Sequence, residues 1–504
     1  MLNFFVNTFL DSRIHRIDDH YTKAEQKSED TLKMLLRYGK QTQYGKKRGL
    51  AQAYTYEKFI QKIPVNTYDT LKGDIQKMMQ GEQNLLWPTR INWFAKTSGS
   101  AEDKSKFIPV SKEALVNCHY KAGKDILTIF RKNRPNSDLF NGKGLILGGS
   151  HKIHDMNNDC RYGDLSAVLI QNISPFANHF RVPSKETALM DVWEQKIERL
   201  VEETIHKDVT NISGVPSWML VLMNRILEVS GKSNIHEVWP NLQLFIHGAV
   251  SFEPYREQFH KLFPDPKITY LETYNASEGF FGIRDRAEED DLLLFLDYGI
   301  FYEFVPAEEY ENPVNIVRLE DVEVGRNYAM IITTNSGLWR YMIGDTVKFT
   351  SKAPYRVKIS GRTKHFINAF GEELMIENAE KAMREACLQT NADIREYTAA
   401  PVFMSHSKGG SHEWLIEFEH EPADLNQFMT VLDNCLKQLN SDYEAKRTGN
   451  ITLRFPKVMS LPKGTFEKWL KSKDKLGGQH KVPRLSNERK YVDEILSICA
   501  QTQN

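Results

Sequence analysis

Hydrophobic and polar positions recur with two different periods along the chain, and the change of period divides it. Over the first ninety residues the rhythm is helical and mostly polar; apolar residues return every three or four positions from 24 to 37, until Gly39 and Gly45 interrupt them. An apolar run at 91–95 then predicts a strand, and the spacing of Ala114, Leu115, Ala122, Ile126 and Leu127 predicts one helix over 112–129. Strand, loop and helix then alternate. Gly144-Leu145-Ile146-Leu147 is a short buried strand, 191–207 an amphipathic helix, and 209–214 a strand leading to an apolar helix that ends near 227. Residues 242–246 run into His247-Gly248-Ala249 and a helix over 253–262, and 267–274 run into Asn275-Ala276-Ser277-Glu278.

From 290 the period becomes two. Strands at 292–296, 299–305, 328–334, 339–341, 346–350 and 355–359 follow one another with turns between them and no helix. Helices return at 373–388 and 424–439, with strands at 398–404, 413–419 and 451–455. The expected fold class is therefore α/β. A large N-terminal domain, 1–360, carries α/β sheets and a β-barrel-like subdomain at about 290–360. A hinge at 361–364 leads to a smaller, mobile α+β domain, 365–504. Two or three domains suit a chain of 504 residues, which is too long for one core.

Charge narrows the partners. Lys+Arg and Asp+Glu are 66 each, so no net field points to nucleic acid or an anionic membrane. The five cysteines are scattered without a Cys-x-x-Cys pair, which fits a reducing compartment and argues against a disulfide framework or zinc cluster. The apolar start, Met1 to Leu10, meets Asp11 early and has no basic leader, so it reads as a docked helix and the protein as cytoplasmic.

Candidate chemistry lies in loops that end strands. Thr97-Ser98-Gly99-Ser100, followed by Lys104 and Lys106, offers hydroxyls, backbone N–H groups and ammonium groups to an anion; it reads equally as a polar surface hairpin. Tyr274 can stack on a flat base or pack in a core, and Glu278 can hold a hard divalent cation or face solvent. Asp345, after Gly344, can accept two hydrogen bonds from a diol or cap a turn. Arg362 and Lys364 sit at the domain boundary, and Lys481 in a glycine-flanked basic loop. No Gly-x-Ser-x-Gly elbow supports hydrolysis.

Taken in order, these stretches resemble the adenylate-forming ligases, and more closely their Gretchen Hagen (auxin-responsive) branch, the acyl acid-amido synthetases. Thr97-Ser98-Gly99-Ser100 with Lys106-Phe107-Ile108-Pro109-Val110 is similar to that branch's first nucleotide motif. Tyr274-Asn275-Ala276-Ser277-Glu278 resembles the second, and Arg340-Tyr341-Met342-Ile343-Gly344-Asp345 the third. Leu461 to Phe466 and Gln479 to Arg484 resemble the carboxy-terminal signature. Ala276, where plant members usually show serine, and Trp339, where tyrosine is common, depart from the pattern.

The resemblance implies ATP and Mg²⁺ as cofactors, and a carboxylic acid and an amino acid as substrates. The acid would become acyl-AMP and then an amide. It implies that Thr97, Ser98, Gly99 and Ser100 cradle phosphate and that Tyr274, with Ser277 in the same motif, flanks adenine. Asp345 and Arg362 would hold the ribose, with Lys364 in the hinge. Glu278 would bind Mg²⁺, and Lys481 would swing toward the developing charge. Coenzyme A as acceptor, or a non-catalytic nucleotide or acyl-acid binding protein, are the alternatives. The acid, the amine and the oligomeric state stay open.

Overall fold

The computed structural model describes residues 2–98, 105–148, 153–157, 159–190, 192–250, 252, 255–286, 289–362, 366–404, 409–450, 452–472 and 482–502. Its amino-terminal quarter is helical: Leu2–Thr22, Ala24–Gly39, Gln43–Arg48, Tyr56–Lys62 and Tyr68–Met79. The two glycines that break the early periodicity touch one another. A Cβ on Gly45 would stand 2.0 Å from the Gly39 carbonyl oxygen, and one on Gly39 would stand 2.2 Å from the Trp339 ring. Backbone thus packs on backbone there, and Trp339 fills the corner, its Nε1 donating to the Leu86 carbonyl at 3.0 Å.

The centre of the molecule is one sheet of eleven strands. Five run parallel, in the spatial order Arg181–Val182, Lys143–Ile146, Val209–Ser213, Leu244–Gly248 and Thr269–Ala276. Six antiparallel strands continue the sheet: Gly279–Ile283, Leu292–Leu294, Tyr355–Arg362, Tyr341–Lys352, Asn327–Thr334 and Ile300–Pro306. A smaller sheet holds the hairpin Trp93–Ser98 with Ser105–Val110.

Register sorts the parallel strands into two faces. Val182, Leu145, Ile212 and Phe245 pair across the strands, and all four belong to a core shared with Phe370, Trp414 and Leu432 of the carboxy-terminal part. Arg181, Gly144, Asn211 and Leu244 pair in the intervening register positions. This alternation gives the sheet a cavity-facing side.

After 365, strands Asp393–Val402, Ser411–His420 and Lys457–Leu461 form a sheet with helices Ile376–Thr390 and Leu425–Leu439. Three expectations are corrected in detail. The strand expected at 451–455 forms instead at Lys457–Leu461, after Pro456; Leu453 makes only an isolated bridge to Gly410. The strand expected at 339–341 begins only at Tyr341, because Arg340 adopts a left-handed φ of 43°. The helix expected over 112–129 is interrupted by a π-helical turn at Leu115–His119 before Tyr120–Asn133.

Candidate active site

A cavity of about 1680 Å³ opens where the parallel strands end and the carboxy-terminal part meets them. Its walls come from stretches far apart in sequence: Lys96, Thr97 and Lys106; Tyr274 to Glu278; Tyr341 to Asp345; Ser360 and Gly361; and Asp442, Lys446 and Arg489. Ligand sites in α/β sheets form at such carboxyl ends.

The geometry at this wall is specific. Tyr274 packs its ring on Phe281, with centroids 4.8 Å apart, and its hydroxyl donates to Asp345 Oδ2 at 2.8 Å. Asp345 is 6% exposed and lies in register with Arg362 on the neighbouring strand. Glu278 is partly buried in the turn that joins Thr269–Ala276 to Gly279–Ile283. Burial pushes its carboxyl up from the ordinary 4.5 to about 7; Lys106 pulls the other way, while Asp345 and Glu373 add repulsion. Lys106 sits with its ammonium 5.9 Å from the Tyr68 ring centroid, and the Tyr68 hydroxyl accepts the Phe107 N–H at 3.0 Å. Tyr341, buried beside Glu278, is held as the neutral phenol by desolvation and then by that carboxylate's charge. His119 also lines the cavity, and burial lowers it to about 4, so it is neutral at physiological pH.

The cavity thus brings together Thr97, Tyr274, Ser277, Glu278 and Asp345. Gly99, Ser100, Lys104, Lys364 and Lys481 lie outside the described residues, as do the side chains of Ser98 and Arg362. Arg340, within the third motif, is turned away from the cavity. Its Nε donates to Glu303 Oε2 at 2.8 Å, its Nη2 to Glu303 Oε1 at 2.8 Å, and its Nη1 to the Ile63 carbonyl at 2.9 Å. The positive φ at Arg340 lets one strand end send the arginine into the core and Asp345 to the cleft.

Sequence reasoning left Lys106 undecided and passed over Tyr68 and Lys446. Lys446 is buried with its ammonium 4.0 Å from the Trp218 ring centroid, and Trp218 Nε1 donates to the Phe370 carbonyl at 3.1 Å. Ser105 Oγ and Ser441 Oγ, 3.1 Å apart, join the hairpin stem to the carboxy-terminal part. A lysine next to the end of the short polar helix Ser441–Arg447 carries no signal by spacing; only the fold shows that it closes the cavity.

The partly buried Glu278 carboxylate, raised by its surroundings and beside Ser277 and Tyr341, is the kind of ligand Mg²⁺ takes from a protein when phosphates supply the other oxygens.

Comparison with known proteins places this architecture. An acyl acid amido synthetase, AtGH3.15 in complex with 2,4-DB, superposes with a TM-score of 0.63 at 17% identity, covering 97% of this chain and 96% of that one. A 2-hydroxyisobutyryl-CoA ligase, in complex with 2-HIB-AMP and CoA, superposes with a TM-score of 0.55 at 12% identity, covering 94% and 93%. The chain therefore has the fold that these ligases share. It matches the GH3 family N-terminal domain over 13–268, the central domain over 293–362 and the C-terminal domain over 377–490. The protein belongs to the GH3 family. It is 23% identical to the indole-3-acetic acid-amido synthetase GH3.4 of Arabidopsis thaliana, over 90% of this chain and 88% of that one. It is 24% identical to the jasmonoyl–L-amino acid synthetase GH3.5 of Oryza sativa subsp. japonica, over 94% of each.

Proposed function

We propose that the protein activates a carboxylic acid with ATP and transfers the acyl group to an amine, an amino acid in the simplest case. The observation that carries this is the convergence of Thr97, Glu278 and Asp345, distant in sequence, on one wall of a cavity closed by the carboxy-terminal part. A carboxylate oxygen of the acid attacks the α-phosphorus and the bond to pyrophosphate breaks, leaving acyl-AMP. The amine nitrogen then attacks the acyl carbon, the bond to the AMP oxygen breaks, and the amine loses a proton to solvent.

Each residue meets a physical demand of these steps. Two anions, a carboxylate and a triphosphate, approach one another, so positioning and positive charge dominate. Lys106 supplies charge at the wall beside Thr97, and the Thr97-Ser98-Gly99-Ser100 stretch would offer donors to phosphate. Asp345, held by Tyr274, accepts the ribose hydroxyls, with Arg362 beside it, while Tyr274 and Ser277 border the adenine. Glu278 would hold Mg²⁺, which supplies charge neutralisation to the phosphates when bound. Lys481 brings a further cation from the carboxy-terminal loop, and a rotation about 361–364 exchanges the adenylating for the amide-forming arrangement. Among the described residues no helix is long and apolar enough to cross a membrane. The scattered, unpaired cysteines support a cytoplasmic setting.

An acid-dependent ATP–pyrophosphate exchange panel, followed by mass analysis with mixed amino acids and coenzyme A, tests this. Exchange plus an amide product is expected. Thioester without amide would replace the acceptor; no exchange with any acid under Mg²⁺ would leave a binding protein.

A further inference from the structure

Away from the nucleotide wall, the cavity runs across the sheet to its edge strand, Arg181–Val182. Apolar side chains there include Leu127, Phe140, Leu169 and Phe180; Arg181 and Asn211 stand side by side among them, and Lys124, Asn172 and Ser174 also reach the lining. Register places these two on the same face, one on each side of Gly144. Gly144 matters because a Cβ there would stand 2.6 Å from Asn211 Oδ1, so a larger residue would displace the amide. Arg181 is 7% exposed, and its guanidinium is aimed by Asn178, whose Oδ1 accepts from Nε at 3.2 Å and Nη2 at 2.8 Å. Arg181 Nη1 is buried and has no partner among the described residues. The acidic group whose charge reaches Arg181, Glu203, is engaged by the Ser184 N–H and the hydroxyls of Ser184 and Thr187. A buried guanidinium with a free N–H and no paired carboxylate is costly unless an anion completes it.

We infer that Arg181 and Asn211 form a distal subsite for a second carboxylate on the acyl substrate, so the acid that the protein activates is long, apolar in the middle and charged at both ends. This rests on the acid-activating function proposed above. The strand of Arg181 lies four places from that of Tyr274, roughly 19 Å at about 4.8 Å per strand. An acid bound with one carboxylate near Glu278 therefore needs an extended chain to reach Arg181. Arg181 is a specificity-determining residue here; it takes no part in the bond changes.

The test compares exchange kinetics for straight-chain α,ω-dicarboxylic acids and monocarboxylic acids of equal length, about ten to eighteen carbons at roughly 1.2 Å per bond. Wild-type protein is expected to favour the diacid in kcat/KM by at least about tenfold at the best length, as one charge-assisted hydrogen bond provides. In Arg181→Met, which keeps the stem and removes the charge, that ratio is expected to fall to about one. Equal kcat/KM for diacids and monoacids at every length in wild type overturns the inference without recourse to the variant. A diacid preference that survives Arg181→Met overturns it as well. Exchange with monoacids but no diacid preference leaves the acid-activating function standing. No exchange with any acid removes that function, and this subsite with it.

Discussion

Tyr274 donates its hydroxyl hydrogen to Asp345 Oδ2 at 2.8 Å, joining two motifs separated by 71 positions. The bond spans from the last parallel strand to an antiparallel strand of the same sheet, so it fixes a carboxylate that lines the cavity. Tyr274→Phe keeps the ring on Phe281 and removes only this bond. The expected cost is about 1 kcal/mol of stability and a several-fold rise in the KM for ATP, with kcat little changed. Denaturant unfolding and exchange kinetics measure the two; Asp345→Ala should weaken ATP binding further in calorimetry.

Glu278 makes the apo protein less stable at high pH. Its carboxyl titrates near 7 in the folded chain against an ordinary 4.5, so between those values the folded state keeps a proton that the unfolded state has released. Stability therefore falls as pH rises from about 4.5 and the full penalty is present above about 7. Glu278→Gln is expected to raise the melting temperature at pH 8 more than at pH 5. The same substitution should lower exchange by on the order of 100-fold, since a neutral amide is a poor ligand for Mg²⁺. In wild type, exchange should rise with pH through 7 as the carboxylate forms.

Arg340, which lies in the third motif, and Glu303 form a buried pair away from the cavity. Removing one partner strands a charge in the core, so Arg340→Met is expected to cost about 3–5 kcal/mol in urea unfolding. Where enough folded protein remains, the KM for ATP should change much less than in Asp345→Ala. A larger rise in KM for Arg340→Met than for Asp345→Ala would place Arg340 at the nucleotide.

Much of this was legible before the structure, for reasons visible in particular residues. The alternating spacing from 290 marks most of the antiparallel part of the sheet, which begins at Gly279–Ile283, and the stretches around 97 and 274 reach the cavity wall near strand ends as read; Asp345 does so from within the continuous strand Tyr341–Lys352, where a strand ending was expected. Gly39 and Gly45 were legible as breaks, though their mutual packing was not. What stayed hidden was tertiary. Lys106 and Glu278 influence one another across 172 positions, and Lys446 reaches Trp218 across 228. Arg181–Val182 is too short a strand to show any alternation, so nothing marked its arginine as facing a cavity. Nor did the sequence show that Arg340, at a left-handed φ, turns into the core while Asp345 of the same motif meets the cleft.

Lys481, in the carboxy-terminal signature, is proposed to act on the first half-reaction. Lys481→Ala should slow acyl-AMP formation by on the order of 100-fold, comparable to losing one preorganised charge at a transition state. ATP affinity by calorimetry should move less than about threefold. Unchanged adenylation would take Lys481 out of this role.

The acyl adenylate itself is tested by following an oxygen label. With an acid active in exchange and labelled with ¹⁸O in both carboxylate oxygens, turnover with ATP, Mg²⁺ and the accepted amine is analysed by mass spectrometry of the nucleotide. Attack of the carboxylate on the α-phosphorus, followed by cleavage of the acyl carbon–oxygen bond, leaves one labelled oxygen in AMP and none in pyrophosphate. AMP without label, or label in inorganic phosphate, would contradict an acyl-AMP intermediate.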